Sequence, residues 1–131
     1  MIVMDTCAVI WNALAPEKIS VKAQSAIKKA NRTTGMYICD ISFWEISMLI
    51  KKGRFNPACD YEMFIDTLLN ANKYVIAQIT PTIAELSNYL PNSINKDPAD
   101  RIIAATAITY KAPLVTADEN LNTSPLIPSI W

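Results

Sequence analysis

The chain has 131 residues, of which 51% are hydrophobic and 18% charged, with zero net charge and no histidine. That length supports one sizeable core rather than two, and no segment combines low hydrophobicity with high net charge, so a single ordered domain over residues 1–131 is expected. The missing histidines exclude Ser-His-Asp and Cys-His chemistry, both of which need an imidazole to take the nucleophile's proton, and leave carboxylates or a metal to act in any enzyme.

In chain order, Ile2 to Met4 predicts a strand ending at Asp5, and Thr6 to Leu14 predicts a short helix stopped by Pro16. Ser20 caps a predicted helix to about Asn31, after which Gly35 leads into a strand from Met36 to Cys39. A helix is expected from Ser42 through Lys52, closed by Gly53, and another from Asp60 through Ala71. Tyr74 to Ile79 is β-branched enough for a strand. Thr80-Pro81 opens a helix to about Leu90, Asp97-Pro98 opens one to about Tyr110, and Ala112 to Thr116 is a last apolar strand before Asp118. The tail from Asn122 to Trp131 is expected as an extended edge. Strands that alternate with helices and read as near-continuous apolar runs imply a parallel sheet covered on both faces. The expected fold class is α/β, a three-layer α/β/α sandwich with a central parallel sheet of four to five strands.

Cys7, Cys39 and Cys59 are odd in number and lack Cys-x-x-Cys spacing, so neither disulfides nor structural zinc is expected. The first strand starts at the initiator with no basic leader, and no apolar stretch approaches the roughly 18 residues that span a bilayer, so a cytoplasmic protein is expected, with no membrane partner. Zero net charge leaves no domain-wide basic footprint for nucleic acid. Of two local basic clusters, Lys28-Lys29-Arg32 reads as a solvated helix end, and Lys51, Lys52 and Arg54 are the candidates for nucleic-acid contact.

The acids fall into a pattern. In an open parallel sheet, ligands bind beyond the carboxyl ends of the strands. Asp5 follows the first strand, Asp118 lies just past the last, Glu45 sits in the first turn after the second strand, and Asp100 in the first turn of its helix, so all four face one rim. Four converging carboxylates cannot all ionise without a compensating cation. An oxygen-only donor set suits magnesium or manganese better than zinc, and such a cation implies a phosphate-bearing substrate. Each acid also has a local reading. Ser42-Phe43-Trp44-Glu45 matches the S-x-x-E capping box, Asp97 before Pro98 is a good N-cap, Asp100 favours the helix dipole, and Asp5 and Asp118 resemble turn formers.

Taken together, Met4-Asp5-Thr6-Cys7-Ala8-Val9-Ile10-Trp11, Ser42-Phe43-Trp44-Glu45-Ile46, the run from Asp97-Pro98-Ala99-Asp100-Arg101 to Ala107, and Leu114-Val115-Thr116-Ala117-Asp118 resemble the PIN-domain family in order and spacing, most of all its VapC-type toxins. The likeness covers nearly the full chain. It implies a magnesium-dependent endoribonuclease, the toxin component of a toxin–antitoxin pair, commonly a homodimer and held inactive by its cognate antitoxin. Carried over by position, the family's acids fall on Asp5, Glu45, Asp100 and Asp118, with Thr6 and Thr116 as supporting hydroxyls and Asp97 as an outer member. Two departures stand out: Cys7 occupies a position that is often histidine in relatives, and Asn95-Lys96 stands where another histidine is frequent.

The mechanism expected from this is that Asp5, Asp100 and Asp118 hold Mg2+ (or Mn2+) while Glu45 orients or deprotonates a water that attacks the RNA phosphate. Alternatives are a non-catalytic PIN-like interaction module, a phosphohydrolase acting on small molecules, and a receiver-like magnesium-binding domain. The receiver reading wants adjacent acids after the first strand and a lysine after the last, where this chain has Asp5-Thr6 and Asp118-Glu119.

Overall fold

Strand β1 (Ile2–Met4) is the centre of the molecule: in the computed structural model, which describes residues 1–131, it pairs with β2 (Met36–Cys39) on one side and β4 (Leu114–Val115) on the other. β3 (Tyr74–Ala77) lies outside β2 and β5 (Ser129–Ile130) outside β4, giving five strands in the order β3-β2-β1-β4-β5, every pair parallel. Parallel pairing obliges the chain to cross back over the sheet between strands. The crossovers are α1 (Thr6–Leu14), α2 (Val21–Arg32), α3 (Asp40–Lys51), α4 (Tyr61–Ala71), α5 (Pro81–Tyr89) and α6 (Pro98–Tyr110), with a short α7 (Glu119–Asn122) before β5.

The side chains alternate along each strand, so one short apolar run feeds two cores. Ile2 and Met4 of β1, Met36 and Ile38 of β2, and Val115 of β4 join Val9, Ile27, Ile46, Phe64 and Leu68 on the face covered by α1, α2 and α4. Val3, Cys39 and Leu114 point the other way, into Ile83, Ile103, Ala104, Ala105, Ala107 and Leu121 beneath α5, α6 and α7. The alanines of α6 let that helix lie close against the sheet. These are the three layers expected, and β1 needs apolar residues at every position because neither of its faces meets solvent.

Sequence and structure part at several ends. α3 starts at Asp40, two residues before Ser42, because β2 runs straight into it; Cys39 occupies the cap position and no side chain caps the helix. The capping-box reading of Ser42 and Glu45 is therefore wrong. β3 stops at Ala77 rather than Ile79, since its neighbour β2 has by then turned into α3, and the Ile79 N–H is taken by the Asp40 carboxylate at 3.3 Å. β4 covers only Leu114–Val115 rather than Ala112 to Thr116, its partner β1 being three residues long. The tail does form an edge, as β5, and Trp131 rests against Trp11 with ring centroids 5.9 Å apart. The four-residue α7 was not expected; Asp118 caps it through the Leu121 N–H at 3.0 Å.

Gly35 closes α2 at φ +89°, and a Cβ there would sit 2.7 Å from the Lys73 carbonyl oxygen, a backbone atom that also accepts from Met36 N–H. Gly53, at φ +71°, has nothing within 4 Å. Urea unfolding of Gly35→Ala is expected to show a loss of about 2–3 kcal/mol, against about 1 kcal/mol for Gly53→Ala, where only the left-handed backbone is strained.

Candidate active site

The strand order reverses at β1: the chain builds outward through β2 and β3, then returns to lay β4 and β5 on the opposite side. The crevice at the carboxyl ends of β1 and β4 is the switch point at which open α/β sheets bind ligands. Asp5 leaves β1 there and is 8% exposed. Its Oδ1 accepts from the Thr6 N–H at 2.8 Å and its Oδ2 from the Thr116 hydroxyl at 2.7 Å. Thr116 Oγ1 in turn accepts the Asp118 N–H at 3.1 Å, so one buried hydroxyl ties together the two loops that carry these acids.

Glu45 is brought in from α3 by Thr6, whose hydroxyl donates to Oε1 at 2.5 Å. Ser42 Oγ lies 2.8 Å from the same hydroxyl. A threonine has one proton to give, and Glu45 can take it, so Ser42 is the donor to Thr6. Asp100 and Asp118 are bridged by Asn95, whose Nδ2 donates to Asp100 Oδ2 at 3.2 Å and Asp118 Oδ1 at 3.1 Å. Asp97 is the N-cap expected of it, with Oδ1 accepting from Ala99 and Asp100 N–H groups at 2.8 and 3.3 Å.

The electrostatics agree with convergence. Asp5 is pushed above its ordinary pKa by burial, against the lowering effect of Thr116 and Thr6 hydrogen bonds, and further by the charges of Asp118 and Asp97. Glu45 is raised by burial and then by Asp5 and Asp97, with Thr6 opposing. Asp100 is pushed up to about 7, by burial first and then by Asp5 and Asp97, with the Asn95 hydrogen bond opposing. Cys7, beside Asp5, is pushed up to about 11 by burial and by all four acids, so it stays a thiol and does not act as a nucleophile. The groups that favour the ionised carboxylates are hydroxyls, a backbone N–H and an amide.

No three of these acids are drawn tightly enough to grip a metal ion by their side chains alone. Zinc, which takes three or four protein ligands, does not fit such a set. Magnesium and manganese do fit, because they are hard and are commonly held through one or two carboxylates, water and substrate phosphate. A hollow of about 670 Å3 lies along α4 beside Asp60, Asp66 and Asn70, and none of the four acids lines it.

Among the basic candidates, Arg54 lines a cleft of about 200 Å3 with Cys7, Trp11, Lys18 and Phe55. Lys51 and Lys52 are exposed at the end of α3 and do not line that cleft. Lys18 was not singled out from the sequence, and neither were Ser42 as a donor, Asn95 as a bridge or Arg101 as a loop brace. Arg101, inside the Asp-Pro-x-Asp-Arg motif, donates to the carbonyls of Ser87, Leu90, Ile94 and Asn95 at 2.9, 2.5, 3.2 and 3.3 Å. It holds the loop between α5 and α6 and pairs with none of the acids. The one signal for Asn95 was its position five residues before Asp100, where relatives often carry histidine.

A family model described as the PIN domain matches residues 2–123. Ribonuclease VapC22 of Mycobacterium tuberculosis (strain ATCC 25618 / H37Rv) is 30% identical over 132 residues, which cover 99% of this chain and 98% of that protein. Among solved structures, VapBC2 from Rickettsia felis bound to a DNA fragment from its promoter superposes with a TM-score of 0.73 at 16% identity, over 98% of this chain and 97% of that one. A toxin–antitoxin complex from Klebsiella pneumoniae superposes with a TM-score of 0.65 at 22% identity, over 97% and 95%. These two likenesses concern the fold.

Asp100 ordinarily titrates at 3.8 and in the fold at about 7. Between those values the folded chain holds a proton that the unfolded chain has released, so stability falls as pH rises through the window. In EDTA, Asp100→Asn is expected to melt higher than the native chain at about pH 7.5, with the gap narrowing toward about pH 4. A constant gap across thermal melts in that range would show that Asp100 carries no such burden.

Proposed function

The chain belongs to the PIN-domain family, and from that premise we propose that it is a magnesium-dependent endoribonuclease, the toxin of a toxin–antitoxin pair. The observation that carries this reading is the gathering of Asp5, Glu45, Asp100 and Asp118 at the sheet's switch point, where burial and neighbouring carboxylates raise the pKa of Asp5, Glu45 and Asp100. Likeness to a ribonuclease along essentially the whole chain supports RNA as the substrate. Asp5, Asp100 and Asp118 would hold a hard divalent cation partly through water, and that ion would supply positive charge for the scissile phosphate and acidify water.

The protein's own residues do the rest. Thr116 fixes Asp5 and Thr6 fixes one oxygen of Glu45, which leaves the other to orient the attacking water. The raised pKa of Glu45 suits it to take that water's proton. In-line attack forms a new P–O bond and breaks the bond to the 3′ oxygen, which leaves as a 3′-hydroxyl opposite a 5′-phosphate. Arg54 and Lys18 flank the cleft beside Cys7 and meet the RNA backbone there. Support for an antitoxin partner comes from the solved relatives that are toxin–antitoxin complexes, and the resemblance extends the proposal to a homodimer working in the cytoplasm. No helix is long and apolar enough to cross a membrane.

Purified protein is expected to cut total cellular RNA with magnesium and to stop in EDTA, with Asp5→Asn and Asp100→Asn each slower by about 100-fold or more. End analysis should find 5′-phosphates; 2′,3′-cyclic phosphates would point to attack by the ribose hydroxyl instead. Identical RNA profiles for the native chain, both variants and the EDTA control would move the reading to a non-catalytic interaction module.

A further inference from the structure

The loop joining α5 to α6 carries a side chain that the chemistry above leaves unassigned. Asn95 is half-buried, and its Nδ2 reaches both Asp100 and Asp118, at 3.2 and 3.1 Å. Only the amino end of a carboxamide can face two carboxylates favourably, since its oxygen would repel both. The two acids stand on different elements, Asp100 in the first turn of α6 and Asp118 at the start of α7.

The placement of Asn95 is itself built. Its N–H donates to Asn120 Oδ1 at 2.9 Å, and Asn120 Nδ2 donates to the Ser93 carbonyl at 2.8 Å, which ties the loop to α7. Its carbonyl accepts from Arg101 Nη1 at 3.3 Å, which ties it to α6. Asn95 is thus braced from both of the elements whose acids it joins.

We propose that Asn95 is a positioning residue of the acidic centre: an uncharged double donor that holds Asp100 and Asp118 side by side in the metal-free protein, so that a hard divalent cation meets them as a ready pair. This rests on the metal-dependent reading above. A lysine in the same place would neutralise the pair and compete with the cation, whereas an amide lends two N–H groups and leaves the carboxylates their charge. Hydrogen bonds to ligating groups are worth about 10–100-fold in metal affinity.

The test is calorimetric titration of Mn2+ into the metal-free protein without RNA. Asn95→Ala is expected to bind Mn2+ about tenfold more weakly than the native chain while recovering most of the native kcat in RNA cleavage at saturating Mn2+. Asn95→Asp, which keeps the shape and turns the donor into a third acid, is expected to melt lower than native in EDTA and to gain more than native on adding Mn2+. Unchanged Mn2+ affinity in Asn95→Ala, with equal losses of melting temperature in EDTA and in Mn2+, would make Asn95 a loop residue only and overturn the proposal. Tighter binding would overturn it too, by making Asn95 a competitor. A native chain that binds no Mn2+ removes both readings, while native binding without RNA cleavage, weakened in Asn95→Ala, removes the nuclease and leaves the bridge.

Discussion

Mutual repulsion among carboxylates is the constraint around which the rim of this protein is arranged. Asp5, Glu45, Asp100 and Asp118 come from four separate stretches of chain, and desolvation and like charge act against the ionised forms of Asp5, Glu45 and Asp100. The fold answers with uncharged donors. Thr6 serves Glu45, Thr116 serves Asp5 and Asn95 serves Asp100 and Asp118. Each donor is held in turn: Thr6 by Ser42, Thr116 by the Asp118 N–H, and Asn95 through Asn120 and Arg101. A cluster built with lysine or arginine would be more stable alone and less receptive to a cation. Asp40 lies at the carboxyl end of β2 as well, yet its Oδ2 is engaged by Ile79 and it joins β3 to α3 instead.

What could be read from the sequence follows the range of the interactions concerned. Alternation of apolar runs with capped helices is local, and it located four strands, six helices and the layer architecture. Asp5 and Asp118 fall at strand ends and Asp100 in a helix's first turn, positions visible in the order of elements alone, whereas Glu45 stands in the second turn of α3. Ser42 and Glu45 show the limit. Their spacing satisfies a local rule, but the helix begins earlier, and the hydroxyl that meets both belongs to Thr6, 36 and 39 residues away. The bridge that Asn95 makes could not be read for the same reason, since it depends on Asp118, 23 residues later.

Arg101 illustrates a related point about motifs. An arginine beside an acid suggests an ion pair, yet the guanidinium is occupied by carbonyl oxygens of the loop from Ser87 to Asn95. Those carbonyls belong to the last turn of α5 and the loop after it, and the planar fork of arginine meets several at once in a way that the point charge of lysine does not. The most recognisable run in the sequence therefore has two physical jobs, an acid for the rim and a brace for the loop above it.

The central place of β1 has a further consequence, for the order in which the molecule comes together. β1, the first strand in chain order, becomes the middle of the sheet, and its partner on one side, β4, is the fourth of the five. Asp5 and Thr116 meet across a separation of 111 residues. A contact of that reach must overcome the loop-closure entropy of almost the entire chain, which places it late in folding and makes it slow to form. Until β4 is in place, Asp5 lacks the Thr116 hydroxyl that orients it. The acidic centre is a property of the finished fold and has no local precursor.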